Sequence, residues 1–164
     1  MKYLAYIGLS LALLVSIVVV VAVLNSPEPP ASQEMTPANL IAEVNYQRQV
    51  NGLKKVGSNT KVADAAVVLA SDLASRQIGA LTAQEVVGAL NSAGYPTNLS
   101  LRESGWMVFK TAQNSTTKEA IAAEAGPGLP GRDVLLWPLA RSAGVGMTKG
   151  PDGVFYTVVL FGSR

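Results

Sequence analysis

Chemistry in this chain must rest on carboxylates, lysines and hydroxyls, because the sequence contains neither histidine nor cysteine. It therefore has no Ser-His or Cys-His nucleophile pair, no histidine-based zinc or iron site, and no general base of the commonest kind near neutral pH. Most classes of hydrolase are excluded. Without cysteine, an exported domain must also be stable without disulfides. We expect no catalytic residue, no metal ligand and no cofactor.

Among the carboxylates, Glu103 is the one with a possible functional role. A carboxylate suits proton transfer where burial raises its pKa, and such groups cluster at functional sites. The alternative is structural: Glu103 caps a loop or forms an ion pair with Arg102 or Arg132, and we favour this interpretation.

Two tryptophans and one helical segment each allow a functional and a structural interpretation. Trp106 and Trp137 line a ligand groove, or they belong to the core, as aromatic residues within apolar runs usually do. The segment of residues 46–48 contacts a partner, or it is the solvated face of a helix. We favour the structural interpretation in each case.

The charge balance indicates what the chain does not bind. The formal net charge is +2, and the residues that follow Lys2 are almost balanced in charge. Such a chain lacks the electrostatic footprint of a nucleic-acid-binding protein or of one that adheres to an acidic membrane surface. We expect no nucleic-acid partner.

The elements that must position these residues begin with an apolar stretch at residues 4–24. It contains no charge, and 14 of its residues are Leu, Ile or Val. As a helix it would span roughly 30 Å, which matches the hydrocarbon core of a bilayer. It is too long for the apolar region of a cleaved signal peptide, so we predict a retained transmembrane helix. Lys2 precedes the stretch and two acids follow it, which places the amino terminus in the cytoplasm.

Small residues recur every four positions within this stretch. Gly8, Ala12 and Ser16 therefore share one helix face, and small residues at this spacing allow a second helix to approach closely. We interpret this face as a packing surface for an integral membrane protein, with membrane lipid around the rest of the helix. Chance spacing is the alternative.

The predicted organisation is a transmembrane helix at 1–24, a proline-rich linker at 25–36 and one extracytoplasmic domain at 37–164. Helices are predicted from Thr36-Pro37 to Asn51-Gly52, from Asn59-Thr60 to about Gln77, and from the capping box at Thr82 to Gly94. A strand at 103–110, a helix at 116–125 and a loop at 126–131 follow. The chain ends in a hairpin, with strands at 143–149 and 154–161 around a turn at 150–153. Helices first and strands late indicate an α+β fold with helices packed on an antiparallel sheet.

The order of these elements and motifs resembles the CAP superfamily, the SCP/PR-1-like domain, in its bacterial form. The likeness covers roughly residues 39–162. Its motifs are an I-N-x-x-R-like segment at residues 44–48, an alanine-rich second helix at 65–74, Ala93-Gly94-Tyr95, a glycine-alternating strand at 143–146, and the final aromatic strand.

The resemblance implies an α-β-α sandwich with a central cavity, usually in a secreted or surface-exposed protein. In the family, two histidines and two acidic residues line this cavity and can hold a divalent metal. Here the first histidine position falls near Leu81 and the second on Gly131, while Glu103 keeps one acid and Arg132 follows Gly131. Glu119 or Glu124 could supply the second acid. We interpret the metal site as lost, with Glu103 and Arg132 as remnants of the cavity.

Our functional hypothesis is a non-enzymatic, membrane-anchored CAP-like protein. It would act as an interaction or accessory subunit of a larger membrane complex, for example a respiratory or photosynthetic one. One alternative is an extracytoplasmic protein that binds a lipid or another small apolar ligand. A second alternative is a carboxylate-dependent hydrolase, which requires Glu103 to lie close to another acid.

Overall fold

The structure is a computed structural model, and it describes residues 30, 33–95, 97, 104–112 and 115–164 of the 164-residue chain. Its helices and strands, in chain order, are α1 (Pro37–Val50), β1 (Gly57–Ser58), α2 (Thr60–Arg76), α3 (Ala83–Ser92), β2 (Ser104–Thr111), α4 (Thr117–Ala125), α5 (Gly131–Leu135), β3 (Ser142–Lys149) and β4 (Phe155–Gly162).

Most helices begin where the sequence predicts a cap. Thr36 caps α1 by accepting a hydrogen bond from the Asn39 N–H at 3.2 Å, and Pro37 occupies the first turn. Asn59 caps α2 in the same way. Thr82 and Glu85 form the predicted capping box of α3, and Thr116 with its N3 glutamate forms a second box at α4. Local chemistry therefore sets these helix starts.

The sheet has four strands in the order β1-β3-β4-β2. β4 lies between β2 and β3 and pairs antiparallel with both along its whole length. The prediction of an antiparallel sheet is wrong at one edge, where the two residues of β1 pair parallel with Ser142 and Ala143 of β3. The chain reaches this edge from α1 through residues 51–56, and β1 ends at once because Asn59 caps α2.

Two apolar cores lie on opposite faces of the sheet. The first is formed by α1, α4 and α5 with Val145, Val159 and Phe161. The second is formed by α2 and α3 with Val158 and Leu160. Neighbouring residues of β4 enter opposite cores because side chains alternate along a strand. The fold is an α-β-α sandwich, and β4 is buried on both faces as its sequence predicts.

Helix α2 lies directly on β3 with no side chain between them at two points. A Cβ built on Gly144 would meet the Ala63 nitrogen at 2.2 Å, and one on Gly146 would meet the Ala66 carbonyl oxygen at 2.1 Å. The alanines of α2 and the alternating glycines of β3 are thus two halves of one contact. This confirms the close packing that the alanine-rich helix predicts.

The predicted turn between β3 and β4 is confirmed, and the predicted loop at 126–131 is shorter than expected. The turn between β3 and β4 closes through a hydrogen bond from the Gly153 N–H to the Gly150 carbonyl at 3.0 Å, with Gly153 at a φ of 78°. The predicted loop at 126–131 ends earlier than expected, because the short helix α5 begins at Gly131.

The predicted transmembrane stretch at residues 4–24, with Gly8, Ala12 and Ser16, lies outside the described residues. Most of the predicted linker also does, although residues 33–35 run beside the start of α4, where Glu34 bridges to Thr116. Among the helices of the described residues, none combines the length and the apolar character needed to cross a bilayer.

Candidate functional site

A cavity of about 480 Å³ lies along strand β2. Residues 104–108 of this strand line it over five consecutive positions. The segment at 79–81, which follows α2, forms one wall, while the end of α4 and the start of α5 form the other. The cavity therefore opens where elements from both helical layers meet the edge of the sheet.

Three positions singled out in the sequence meet in this cavity. Leu81, Glu124 and Gly131 all line it, although they are up to 50 residues apart in the chain. Glu103 precedes the lining residue Ser104 but lies outside the described residues. The structure thus brings together the positions that correspond to both histidines and to one candidate acid of the family.

Neither histidine position retains a metal-binding group. Leu81 is half-buried and packs against the second core, so it offers only apolar surface. At Gly131, a Cβ would lie 2.3 Å from the carbonyl oxygen of Glu124 and 3.0 Å from its carbonyl carbon. The main chain fills the space that any side chain at residue 131 would need. A histidine could enter there only if α4 and α5 moved apart.

Among the described residues, Glu124 is the one charged residue that lines the cavity. It is half-buried near the end of α4, and burial raises the pKa of its carboxyl above the ordinary value. Within the described chain, no ion pair or hydrogen bond compensates the Glu124 carboxylate. The other candidate acid, Glu119, accepts hydrogen bonds from Thr116 in the capping box, and these lower its pKa.

The lining of the cavity is otherwise apolar or small. Trp106 lines it and also packs against the second core, which agrees with the structural interpretation and leaves a ligand-binding role as a prediction. Gly105 brings β2 close to α5, because a Cβ there would meet the Val134 Cγ1 at 3.0 Å. Trp137 packs against the first core and does not line the cavity. These contacts place apolar side chains beside the main chain of β2 in the cavity.

Arg132, the second predicted remnant, points elsewhere. Its guanidinium donates a hydrogen bond to the Asn51 side-chain oxygen at 3.3 Å, and the residue does not line the cavity. The contact ties α5 to the end of α1. The structure gives Arg132 a role in the fold and none at this site.

Arg48 shows the clearest difference from the sequence interpretation. The solvated helix face expected at residues 46–48 is wrong for this residue, which is 0% exposed. Its guanidinium donates to the carbonyls of Lys54, Leu135 and Trp137 at 2.8–3.0 Å. Burial, and then the charge of Arg141, lower the pKa of Arg48.

The asparagine of the same motif is also structural. The Asn45 side chain donates to the Val56 carbonyl at 3.1 Å and accepts from the Val56 N–H at 2.8 Å. Asn45 thus holds the chain before β1, while Arg48 holds the chain around α5. A polar residue that will be buried on carbonyl groups cannot be told from a solvated one by helical spacing alone.

The residues at the cavity do not fit the divalent metal that the resemblance implies. Across the described ranges, no three His, Cys, Asp or Glu residues lie close enough together to hold a metal ion. Nitrogen donors, which divalent transition metals prefer, are absent because the sequence has no histidine. One unpaired carboxylate beside an apolar side chain and a packed main chain is not a metal site.

Solved structures share this architecture. An outer surface protein from Borrelia burgdorferi superposes with a TM-score of 0.64 at 15% identity, covering 81% of this chain and 98% of its own. An extracellular protein containing an SCP domain from Bacillus anthracis gives 0.59 at 19% identity, covering 78% of this chain. A cysteine-rich secretory protein from Staphylococcus aureus gives 0.60 at 18%, covering 84%. This chain has the CAP superfamily fold.

The likeness establishes the CAP fold and leaves the activity open. The chain spans 40% and 42% of the Bacillus and Staphylococcus chains, so each of those proteins contains more than this fold. No protein-family model matches the sequence, and no curated protein matches it closely enough to be a relative. The function must therefore be argued from the site of this CAP-fold domain.

Proposed function

We propose that this protein is a non-enzymatic, membrane-anchored CAP-fold protein that binds a protein partner outside the cytoplasm. The observation that carries the proposal is the packing at Gly131, where the Glu124 main chain fills the place of a metal ligand. A cavity remodelled in this way keeps the fold and loses the donor set. What remains is a shaped surface, which suits recognition better than catalysis.

The anchor supports a site of action at a membrane. Residues 4–24 have the length and composition of a spanning helix, and the flanking charges place the CAP-fold domain outside the cytoplasm. The neighbours in structure are described as outer-surface, extracellular and secretory proteins, which agrees with this side of the membrane. We propose that Gly8, Ala12 and Ser16 pack against a helix of the partner, so that this chain acts as an accessory subunit.

Replacement of the anchor tests this proposal. The full-length chain and a variant whose residues 4–24 are exchanged for an unrelated single-pass helix are purified in mild detergent from their native host. Partners are then identified by mass spectrometry. A partner that co-purifies with the wild type and is lost or reduced on exchange supports packing through the anchor.

Equal recovery of the partner with both chains would show that the anchor is only a tether. Substitution of Gly8 and Ser16 by Ile on the native helix is the sharper variant, because it alters only the small-residue face. The matched control carries Leu14→Ile and Val21→Ile, which lie on the opposite face of the predicted helix. Absence of any specific partner with the wild type would overturn the proposal.

Binding of a small apolar ligand is the second candidate, since Leu81, Trp106 and Val134 give the cavity apolar walls. Mass spectrometry of the purified protein under native conditions tests it, and a spectrum free of bound lipid would count against it.

A carboxylate-dependent hydrolase has less support. Glu124 is the one acid that lines the cavity in the described part of the chain.

A further inference from the structure

Strand β2 presents an unpaired edge to the cavity. It is the last strand in the order β1-β3-β4-β2, and in the described residues it pairs with β4 alone. In an antiparallel pair, every second residue directs both its N–H and its C=O away from the partner strand. The outer side of β2 therefore carries a row of main-chain donors and acceptors along the cavity.

This edge lacks the features that usually prevent strand addition. Edge strands are commonly short, bulged, or protected by proline and by charged side chains. β2 has eight residues in unbroken register with β4, from Ser104 opposite Gly162 to Thr111 opposite Phe155. Its one charged residue, Lys110, lies beyond the five positions that line the cavity. Over those five positions the edge is regular and uncharged.

The cavity follows this edge over the length of a short extended segment. Its volume is about 480 Å³, and Gly79, Ala80 and Gly131 in its walls have small side chains or none. Five residues of β2 extend over roughly 16 Å, which matches an extended segment of the same length.

The charge of Glu124 in the cavity predicts the charge of one side chain of the bound segment. Glu124 is half-buried, lines the cavity and has no cation beside it in the described structure. Burial raises its pKa, as expected for a carboxylate without a compensating charge. A lysine or arginine of the bound segment would supply that charge, whereas the acidic headgroup of a fatty acid would be repelled.

We propose that the outer edge of β2 binds an extended segment of the partner protein, which adds to the sheet as a further strand and places a lysine or arginine beside Glu124. This inference rests on the proposed function, since it specifies the segment through which the partner is recognised. Main-chain pairing would supply the affinity, and Glu124 with the small wall residues would supply the selectivity. An acyl chain cannot satisfy the main-chain groups of the edge, which favours a polypeptide over a lipid.

A displayed library of random ten-residue peptides tests the proposal directly. Peptides are selected on the full-length chain in mild detergent, with counter-selection on the Glu124→Lys variant. We expect the enriched peptides to share β-branched residues in alternation and one lysine or arginine. Amide hydrogen exchange with a bound peptide should then slow at alternate residues of β2, namely those that do not already pair with β4.

Synthetic versions of one enriched peptide separate main-chain pairing from side-chain contacts. Two N-methylated versions carry the methyl groups on opposite sets of alternate backbone nitrogens. One should bind about a hundredfold more weakly, because its methylated nitrogens are those that face β2, and the other should bind nearly as well as the parent. Glu124→Gln should weaken binding about tenfold through loss of one charge pair. The matched control, Asp64→Asn on the exposed face of α2, should leave the affinity unchanged.

The proposal is overturned if no peptide is enriched, if both methylated peptides bind as well as the parent, or if Glu124→Gln and Asp64→Asn behave alike. Its failure is distinguishable from failure of the proposed function. If the native partner still co-purifies with the Glu124→Lys chain at full yield, partner binding stands and the β2 edge is not the contact. If no partner co-purifies with the wild type, the proposed function fails whatever the peptides do.

Discussion

Glycines bring main chains into contact in two regions of this molecule, with different consequences. Under α2, Gly144 and Gly146 let the helix rest on β3, and this contact builds the second core. At the cavity, Gly131 lets α5 rest on the Glu124 carbonyl, and this contact fills the space at a position to which the resemblance assigns a metal ligand. The same kind of contact builds a core in one region and excludes a side chain at residue 131 in the other. We therefore expect the two regions of this CAP-fold domain to respond differently to substitution.

The largest effect should come from the α2 side. Gly146→Val places side-chain atoms where the Ala66 carbonyl lies, since even a Cβ would be 2.1 Å from it. Both elements are buried and regular, so neither can yield cheaply. We expect a loss of at least about 4 kcal/mol in the free energy of unfolding, or no folded protein at all. Thermal unfolding followed by circular dichroism measures it.

The control for this variant is Gly88→Ala in α3. A Cβ on Gly88 meets nothing within 4 Å, and the residue lies inside a helix. Alanine there should raise the stability by up to about 1 kcal/mol. If Gly146→Val melts like the wild type, the close contact between α2 and β3 is wrong.

Removal of the Arg48 side chain should lower the stability of the layer formed by α1 and α5. Arg48→Met keeps most of the volume and removes the donor from three carbonyls, of which that of Leu135 is fully buried. We expect a loss of about 3 kcal/mol, because an uncompensated buried polar group costs more than a lost surface contact. Urea unfolding of the full chain in detergent, followed by tryptophan fluorescence, measures it. Arg132→Met is the control, and its single contact with Asn51 should make the loss smaller than about 0.5 kcal/mol.

The cavity side should respond less than the α2 side to the same kind of change. Gly131→Ala introduces a Cβ at 2.3 Å from the Glu124 carbonyl, but α5 has only five residues and can shift. We expect a loss of about 2 kcal/mol in the free energy of unfolding.

Calorimetry with Zn²⁺ should detect no binding to the double variant Leu81→His and Gly131→His. Zinc binding by that variant would show that only the ligands, and not the space for them, have been lost.

The sequence was sufficient for the elements whose signals are local. Thr36, Asn59 and Thr82 define helix starts by their own hydrogen bonds, and the alternating glycines of β3 match the alanines of α2. The resemblance to the CAP superfamily, built on these motifs, is confirmed at the level of the fold.

What the sequence did not predict depends on distant contacts. The parallel strand β1 has two residues, too few for a periodic pattern, and it exists because β3 pairs with it. Helix α5 is short, and carbonyls around its end bind Arg48 from α1. Glu124 sits in an alanine-rich helix and gains its character only from the elements that bury it. Such features need the tertiary structure.

The smallest expected effect separates the cavity from the rest of the fold by its dependence on pH. Burial raises the pKa of Glu124 above its ordinary value of 4.5. The contribution of Glu124 to the free energy of unfolding is therefore largest below that ordinary value, and it decreases as the pH rises through the raised pKa. Glu124→Gln removes this loss, so the variant should be more stable than the wild type at pH 7 by a few tenths of a kcal/mol, and no more stable at pH 4. The small size reflects solvent screening of a half-buried group. Urea unfolding at the two pH values measures the difference, with the exposed Asp133→Asn as control.

A gain in stability that is the same at both pH values would mean that Glu124 is not held in an unfavourable ionised state. A gain confined to neutral pH, together with weaker peptide binding, would mean that the carboxylate is retained for recognition at the expense of stability.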